Sequence, residues 1–351
     1  MSYIVKPRFH HPGLQKNDLG YTRRDYEGTL TTLCGGCGHD SISAAIIHAV
    51  HDMSLAPHQV AKVSGIGCSS KIPAYFLERS HGFNSVHGRM PSIATGANLA
   101  NRELYYIGIS GDGDTASIGL GQFCHIVRRR INMLYMVANN GTYGLTKGQL
   151  SATADPGSKT KFGEESQYDN IDLVSLAIDL GASFVARSFS GDKEQLVPLI
   201  QAGLSHRGFA FIDVISPCVT FNNTPFSTHG YKNTWENNVV LSEIDFVPMR
   251  KEITARYSAG KEKEITLHDG SVIHLHKTSG DYDPYDRENA LYHVNEYKKQ
   301  GKIATGLLYI NQSQSDLHEL NDTVDKPFNR LNEHDLCPGG DVLQDINETF
   351  M

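Results

Sequence analysis

The sequence predicts an α/β fold in which helices cover both faces of a parallel sheet. Apolar runs of six or seven residues recur between residues 40 and 217, and segments with helical periodicity alternate with them. Strands that are buried on both faces have continuous apolar runs of this kind. Beyond about residue 225 the chain becomes polar and turn-rich, with fewer strands predicted, which indicates a C-terminal extension.

The alternating elements can be placed by residue number. The helical periodicity predicts helices over residues 40–53, 91–102, 116–130, 171–180 and 193–206. The apolar runs predict strands over residues 59–64, 104–110, 132–138, 183–188 and 209–215. Because a helix connects each strand to the next, neighbouring strands are expected to run parallel.

Composition and charge exclude several classes of protein. The 351 residues carry a formal net charge of −7, and the one compact basic run, residues 128–130, falls at the end of a predicted helix, so nucleic-acid binding is not expected. No apolar run reaches roughly 18 residues, so a membrane-spanning helix is not expected. Residues 1–13 lack the apolar core of a signal peptide, and we expect a cytoplasmic protein.

A short acidic and glycine-rich segment follows the second predicted strand. It reads Gly111-Asp112-Gly113-Asp114 and comes just before the helix predicted from residue 116. Glycines let the backbone turn sharply and approach a ligand, and the helix start offers free N–H groups to an anion. Carboxylates beside such an anion make sense only with a divalent cation between them. Mg²⁺ is commonly shared in this way between carboxylates and phosphates.

A pair of asparagines, Asn139 and Asn140, follows the next predicted strand. Twenty-five residues separate Gly113 from Asn139. Open α/β sheets bind ligands at the carboxyl ends of their strands, so the amides are expected beside the acidic segment. A GDG and an NN at this spacing resemble the diphosphate-binding motif of thiamine diphosphate (ThDP) enzymes. The resemblance implies that Asp112, Asn140 and the carbonyl of Thr142 bind Mg²⁺.

Four of the six cysteines have positions that suit a metal site. They are Cys34, Cys37, Cys68 and Cys218. The first two form a CxxC, and the other two each follow a predicted strand, so they could converge at one edge of the sheet. Four thiolates suit zinc or an iron–sulfur cluster, and a CxxC alone is also compatible with a redox disulfide. Cys124 is expected to be a buried free thiol, and Cys337 has no evident partner.

Six segments together resemble the β subunit of the 2-oxoacid:ferredoxin oxidoreductases. They occur in the same order as in that family and cover most of residues 30–225. The segments are LCGGCGHDSI (33–42), GIGCSSKIPAYF (65–76), HGRMPSIATGANLAN (87–101), GDGDTASIGLGQFCH (111–125), NNGTYGLTKGQLSAT (139–153) and SPCVTFNN (216–223). Leu33, Gly35 and Ala152 depart from residues common in the family, but none of these departures removes a ligand.

The resemblance implies which residues bind cofactors. The family's cysteine motifs hold one 4Fe–4S cluster, which assigns this role to Cys34, Cys37, Cys68 and Cys218. The positions that match the family's ThDP contacts are Ile66, Gly67, Cys68, Ser69, His87, Gly113, Asp114, Gly144 and Leu145. Cys68 would then serve both sites. His39, directly after the CxxC, is expected to support the cluster rather than bind metal.

The resemblance also implies a reaction. A 2-oxoacid is oxidatively decarboxylated with coenzyme A (CoA) to an acyl-CoA and CO₂, and the electrons pass through the cluster to ferredoxin. Run in reverse, the same reaction fixes CO₂. The segment YGLTKGQ (143–149) looks like the 2-oxoglutarate or broad 2-oxoacid branch, which implies succinyl-CoA as the product. Lys147 is expected to meet a substrate carboxylate as a compact charge.

A partner subunit is implied because ThDP also needs a glutamate against its aminopyrimidine ring. That glutamate normally comes from a separate pyrimidine-binding domain, and the sequence contains only one diphosphate-type domain. The resemblance therefore implies an α subunit that carries the missing domain, assembled as αβ or (αβ)₂, with ferredoxin as a further partner.

We divide the chain into an N-terminal arm (1–30), a ThDP diphosphate-binding domain with the iron–sulfur site (31–225) and a C-terminal extension that packs on the core or on the partner (226–351).

Three alternatives stay open. The chain could be a non-oxidative ThDP decarboxylase or synthase subunit with a structural zinc, or a non-catalytic subunit stabilised by a metal. A secreted protein with disulfides is disfavoured by the missing signal sequence.

Overall fold

The centre of the protein is a ten-stranded sheet whose larger half is parallel. The computed structural model describes residues 12–159, 163, 165–224, 227–247, 262–266, 271–277, 282–337 and 339–351. Its strands are β1 (Val60–Ser64), β2 (His81–Asn84), β3 (Tyr105–Gly111), β4 (Met133–Asn139), β5 (Thr142–Tyr143), β6 (Gln149–Leu150), β7 (Phe184–Phe189), β8 (Phe209–Ile215), β9 (Asn238–Val247), β10 (Glu262–Thr266), β11 (Val272–Lys277) and β12 (Ile303–Ile310). Within the described residues the sheet order is β10-β11-β9-β12-β7-β8-β4-β3-β1-β2, and β5 pairs only with β6.

Helices connect these strands and lie outside them. They are α1 (Gly38–Asp52), α2 (Met90–Ala100), α3 (Leu120–Arg129), α4 (Leu173–Asp179), α5 (Lys193–Ser205), α6 (Tyr231–Asn237), α7 (Arg287–Lys299), α8 (Leu317–Leu320), α9 (Glu333–Leu336) and α10 (Gly340–Glu348). The α/β prediction is confirmed, and the five predicted strands are all present within one residue of their expected bounds. Among the described residues, no helix combines the length and apolar character needed to cross a bilayer.

Alternating side chains of the central strands face two separate cores. On β4, Leu134 and Met136 pack in the core that includes α1 and α5. Tyr135 and Val137 point the other way, into the core that includes α2, α3, α4 and α7. Successive residues of a strand point to opposite faces, so a strand that is apolar throughout must be covered on both. The helices therefore cover both faces, as predicted.

The helix predicted over residues 116–130 differs from the structure at its start. A wide π-helical turn spans Gly113–Ile118, and α3 begins only at Leu120. The N–H of Gly119 bonds to the carbonyl of Asp114 at 2.8 Å, five residues back, instead of the usual four. The glycines on either side weaken the regular helix, so the extra residue is accommodated directly beside the acidic segment.

The C-terminal region contributes more strands than the sequence predicts. β12 lies inside the sheet, antiparallel to β7 and parallel to β9, and β11 and β10 follow as antiparallel neighbours. The sequence shows that residues 303–310 are too apolar for solvent, but a strand's place depends on partners far along the chain. The proposed boundary between residues 225 and 226 lies outside the described residues.

The part of the N-terminal arm that the structure describes, from residue 12, contacts the core through Tyr26 and Gly28. Tyr26 is fully buried, and its hydroxyl donates a hydrogen bond to the carbonyl of Leu55 at 2.8 Å. The N–H of Gly28 bonds to the carbonyl of Tyr75 at 2.8 Å. The arm therefore approaches the segment that follows β1, where Cys68 also lies.

Candidate functional site

The carboxyl ends of β1, β3 and β4 border a cleft with about 530 Å³ of empty space, part of it open to solvent. All the residues predicted to bind ThDP or Mg²⁺ line it. They are Ile66, Gly67, Cys68, Ser69, His87, Asp112, Gly113, Asp114, Asn140, Thr142, Gly144 and Leu145. The structure therefore brings together segments that are up to 80 residues apart in sequence, at the edge where open α/β sheets bind ligands.

Two glycines are required by close contacts in the wall of this cleft. A Cβ on Gly113 would lie 2.5 Å from Cε1 of Tyr143, and a Cβ on Gly65 would lie 2.4 Å from Oδ2 of Asp114. The Tyr143 hydroxyl donates to the carbonyl of Gly113 at 3.1 Å. Tyr143 also lines the cleft and was not predicted as a site residue, although it belongs to the recognised YGLTKGQ segment.

Asp112 is a buried carboxylate that is surrounded by neutral hydrogen-bond donors. Its side chain is 1% exposed. Oδ1 accepts from the N–H of Asn140 at 3.2 Å, and Oδ2 accepts from the hydroxyls of Thr153, at 2.8 Å, and Ser151. Among the described residues, none of the ion pairs includes Asp112. A buried charge needs compensation, so this carboxylate suits a cation.

Asp114 has a different environment, although it lies only two residues away. Its Oδ1 accepts from the N–H of Gly88 at 2.8 Å. Its Oδ2 accepts from the N–H of Ile66 at 3.1 Å and from the hydroxyl of Ser110 at 2.8 Å. Asp114 thereby joins the loop after β1 to the loop before α2. The side chain thus ties two walls of the cleft together, and the predicted ThDP contact at Asp114, which also lines the cleft, stays a prediction.

The donor set of the cleft fits a metal-bound diphosphate. Asn140 and Thr142 are buried beside Asp112, and together they offer the oxygen ligands that Mg²⁺ prefers. The Ser69 hydroxyl lines the cleft, is buried and has no hydrogen-bond partner among the described residues. Such an orphaned donor is rare unless a ligand or water completes it.

A buried polar network lies directly behind the asparagine pair. Asn139 donates from Nδ2 to Oδ1 of Asp213 at 3.1 Å. Oδ2 of Asp213 accepts from Nε of Arg187 at 2.9 Å, and Arg187 also donates to Asp172 at 2.5 Å. This network could not be predicted from local sequence patterns, because its members come from four separate elements.

The four predicted cluster cysteines lie in one neighbourhood. A Cβ built on Gly144 would be 3.4 Å from the Cys218 sulfur and 3.5 Å from the Cys68 sulfur. Burial, with smaller contributions from the nearby Cys218 and Cys68, raises the pKa of Cys37 to about 11. The pKa of Cys68 is raised by burial and then by Cys218 and Cys34. Because thiols with raised pKa values stay protonated, a bound metal would have to displace their protons.

Neighbouring residues hold the cysteine loops in place. The Tyr231 hydroxyl donates to the carbonyl of Gly36, within the CxxC, at 3.0 Å. The N–H of Asn222 bonds to the carbonyl of Cys218 at 2.9 Å, and its Nδ2 donates to the carbonyl of Asn140 at 2.8 Å. Asn222 thus connects the last cysteine motif to the asparagine pair. Neither Asn222 nor Tyr231 was expected from the sequence to support the site.

His39 and Lys147 have contrasting positions. His39 is 1% exposed, lines the cleft, and its Nδ1 lies 2.6 Å from the Ser216 hydroxyl. Burial lowers the pKa of His39 to about 4, so the ring is neutral at pH 7. Lys147 is exposed, has a positive φ of 82° and lies outside the cleft lining, close after Leu145. Its role as a substrate contact stays a prediction.

The two remaining cysteines are both free thiols. Cys124 is a free thiol but is only half-buried, because it occupies a flank of α3 rather than the face that packs on the sheet. The prediction of a buried thiol was wrong in this respect. Cys337 is free and exposed.

The fold and the cleft define a ThDP-binding domain of the kind found in thiamine-dependent enzymes. A family model described as "Thiamine pyrophosphate enzyme, C-terminal TPP binding domain" matches residues 65–214, which contain most of the cleft. The chain belongs to the family of 2-oxoacid:ferredoxin oxidoreductase β subunits, as its relatives show.

The relatives include archaeal and bacterial proteins. The chain is 42% identical over 191 residues to the 2-oxoacid:ferredoxin oxidoreductase subunit beta of Saccharolobus solfataricus, covering 54% of this chain and 63% of that subunit. It is 36% identical over 212 residues to the 2-oxoglutarate synthase subunit KorB of Methanocaldococcus jannaschii, covering 60% of this chain and 75% of that subunit. The match thus spans less than two thirds of the Saccharolobus subunit's length.

A solved structure shares the fold over most of the chain. It is the 2-oxoglutarate:ferredoxin oxidoreductase from Magnetococcus marinus with 2-oxoglutarate, coenzyme A and succinyl-CoA bound. The TM-score is 0.69 at 27% sequence identity, over 86% of this chain and 91% of that chain. Because it covers 86% of this chain, the likeness extends beyond residues 65–214, which the family model matches.

Proposed function

We propose that this chain is the β subunit of an enzyme that oxidatively decarboxylates a 2-oxoacid, with 2-oxoglutarate as the expected substrate. CoA would accept the acyl group, and ferredoxin would accept two electrons. The observation that carries the proposal is the position of Cys68. It lines the cleft, and its sulfur lies beside the Cys218 sulfur against Gly144. A redox centre on these cysteines would therefore adjoin the cofactor cleft.

In the proposal, Asp112, Asn140 and the carbonyl of Thr142 hold Mg²⁺, and the Ser69 hydroxyl meets the diphosphate. ThDP, when bound, supplies the nucleophilic carbon and the electron sink for the loss of CO₂. The remaining task of this chain is to orient the cofactor and to exclude water. Apolar groups such as Ile66 and Leu145 on the cleft wall serve the second purpose.

A 4Fe–4S cluster on Cys34, Cys37, Cys68 and Cys218 would take the electrons one at a time. A structural zinc would instead gather its ligands around one ion, with each sulfur about 2.3 Å from it. Within the described part of the chain, no three Cys, His, Asp or Glu side chains are gathered closely enough for a single ion. A cluster binds each cysteine to a different iron; the family resemblance is what supports the cluster here, and the metal assay below distinguishes it from zinc. Reduced cysteines favour the cytoplasm.

The enzyme would require an α subunit, as αβ or (αβ)₂, to supply the pyrimidine-binding domain and its glutamate. This requirement follows from the family, in which the two ThDP half-sites belong to different domains. Lys147 is proposed to meet the substrate's distal carboxylate at the rim of the cleft. The direction of the reaction, including reductive CO₂ fixation, would depend on the potentials of the cluster and of ferredoxin.

The test is an absorption spectrum of the anaerobically co-expressed αβ protein, with iron, sulfide and zinc assays. We expect a brown protein with broad absorption near about 400 nm that dithionite bleaches. It should reduce ferredoxin only when ThDP, Mg²⁺, CoA and a 2-oxoacid are all present. A colourless protein with stoichiometric zinc would rule out electron transfer through this chain and favour a non-oxidative ThDP enzyme.

A further inference from the structure

Two hydroxyl groups beyond the asparagine pair meet the carboxylate of Asp112. Ser151 and Thr153 follow β6 and are buried, at 7% and 3% exposure. Both donate to Oδ2 of Asp112, and the two hydroxyl oxygens lie 2.9 Å from each other. The N–H of Thr153 also bonds to the Ser151 hydroxyl at 3.3 Å, which fixes the pair as one unit.

The number of acceptor sites on Asp112 limits what else it can bind. An ionised carboxylate offers about four lone-pair sites. The N–H of Asn140 and the hydroxyls of Ser151 and Thr153 take three of them. About one site is left, and this site can serve a metal ion. The protein donors therefore decide which way the free lone pair points.

Thr153 has a second contact that sets it apart from Ser151. Its hydroxyl lies 3.0 Å from Oδ1 of Asn139. Asn139 cannot turn its amide round, because its Nδ2 donates to Asp213, whose other oxygen is held by Arg187. Because a hydroxyl has one proton, Thr153 shares it between two fixed acceptors, Oδ2 of Asp112 and Oδ1 of Asn139, and so lies between the rigid network behind the sheet edge and the carboxylate in the cleft.

We propose that Thr153, supported by Ser151, is a positioning residue that holds the Asp112 carboxylate in the orientation that binds Mg²⁺. Its loss weakens Mg²⁺ binding because the carboxylate is free to rotate, and it leaves the chemical step intact. The inference rests on the part of the proposed function that assigns ThDP and Mg²⁺ to the cleft. Partners that orient a metal ligand typically account for a factor of about 10–100 in metal affinity.

The experiment titrates MgCl₂ into the αβ complex after its cofactors have been removed with EDTA. ThDP is held at a fixed concentration, and binding is followed by calorimetry. Thr153→Val removes the hydroxyl at nearly constant volume, and we expect the half-saturating Mg²⁺ concentration to rise about tenfold or more. At saturating Mg²⁺ the turnover rate should return to within about twofold of the parent. Thr153→Ser keeps the hydroxyl and should restore binding.

Thr305→Val is the matched control. Thr305 is fully buried on β12, and its hydroxyl bonds to Asn238 at 2.6 Å and Gln195 at 3.3 Å, away from the cleft. The Thr305→Val variant should have a lower melting temperature than the parent but an unchanged Mg²⁺ titration. If Thr153→Val behaves in the same way, Thr153 is merely structural and the proposal is overturned.

Two further outcomes are informative. If Thr153→Val does not fold, Ser151→Ala replaces it, and an unchanged Mg²⁺ titration in that variant would equally overturn the proposal. If the parent complex binds no ThDP at any Mg²⁺ concentration, the proposed function itself fails. If the parent binds ThDP and Mg²⁺ normally and the Mg²⁺ titration of Thr153→Val is unchanged, only the positioning role of Thr153 is overturned.

Discussion

Replacing Arg187 should destabilise the protein more than any exposed substitution. Arg187 lies on β7 opposite Asp213 on β8, and it also reaches Asp172, the residue that caps α4. The three side chains are 11%, 1% and 10% exposed. Burial raises the pKa of Asp213 despite the nearby guanidinium. For Asp172, burial also acts upward, but the charge of Arg187 prevails and the pKa is lowered.

Arg187→Met keeps most of the side-chain volume but removes the charge. In this variant Asp172 keeps two backbone hydrogen-bond donors, the N–H groups of Val174 and Ser175. Most of the free-energy cost of losing the guanidinium therefore arises at Asp213. Breaking a buried pair by removing one partner costs about 3–5 kcal/mol, because an uncompensated charge is left behind. The double variant Arg187→Met/Asp213→Asn has no such charge, and we expect it to recover at least about 2 kcal/mol.

The assay is equilibrium urea unfolding, followed by circular dichroism, of the parent, both single variants and the double variant at pH 7. The loss of unfolding free energy in Arg187→Met, relative to the parent, should also become smaller as the pH is lowered. Its unpaired Asp213 has a folded pKa above the unfolded value, so the variant loses stability as pH rises through that range. A double variant less stable than Arg187→Met would refute the reasoning, as would a single variant within about 1 kcal/mol of the parent.

Three further changes test other parts of the structure. Burial lowers the pKa of Lys62 from 10.5 in the unfolded chain to about 8 in the folded protein. Between about pH 8 and pH 10.5 the unfolded chain therefore binds more protons than the folded protein, and the free energy of unfolding should rise with pH. Urea unfolding of Lys62→Met should lack this rise. Gly113→Ala would press on the ring of Tyr143 and should weaken ThDP binding about tenfold by calorimetry, while Gly121→Ala, with open space around it, should not. Lys147→Ala should raise the KM for 2-oxoglutarate but not for 2-oxobutyrate, which lacks the distal carboxylate; equal KM changes would exclude the proposed contact.

Local sequence patterns predict the parallel core well. Each strand buried on both faces is mostly apolar. A polar or glycine-rich segment follows β3 and β4, so the sequence predicts where these two strands end. β2 escapes prediction because all four of its residues are exposed. β12 escapes because its role depends on β7 and β9, which are distant in sequence.

The cleft was predictable where its residues belong to compact motifs, and not where they act through distant partners. Asp112 and Asn140 follow directly from the GDG and NN pattern. Thr153 and Asn222 carry no such pattern, because a hydroxyl or an amide becomes meaningful only when its hydrogen-bond partner is known. Asp114 shows the opposite case, in which a residue inside a motif is used to join loops.

The joining of loops by Asp114 has a consequence for how the protein would fail under oxygen. The loop that Asp114 holds through Ile66 also carries Cys68, two residues further on. Damage at a cluster on Cys68 would release that loop, and the release would reach the Gly88 loop through the same carboxylate. Loss of the redox centre and loss of cofactor retention would then be one event, and repair would have to restore both together.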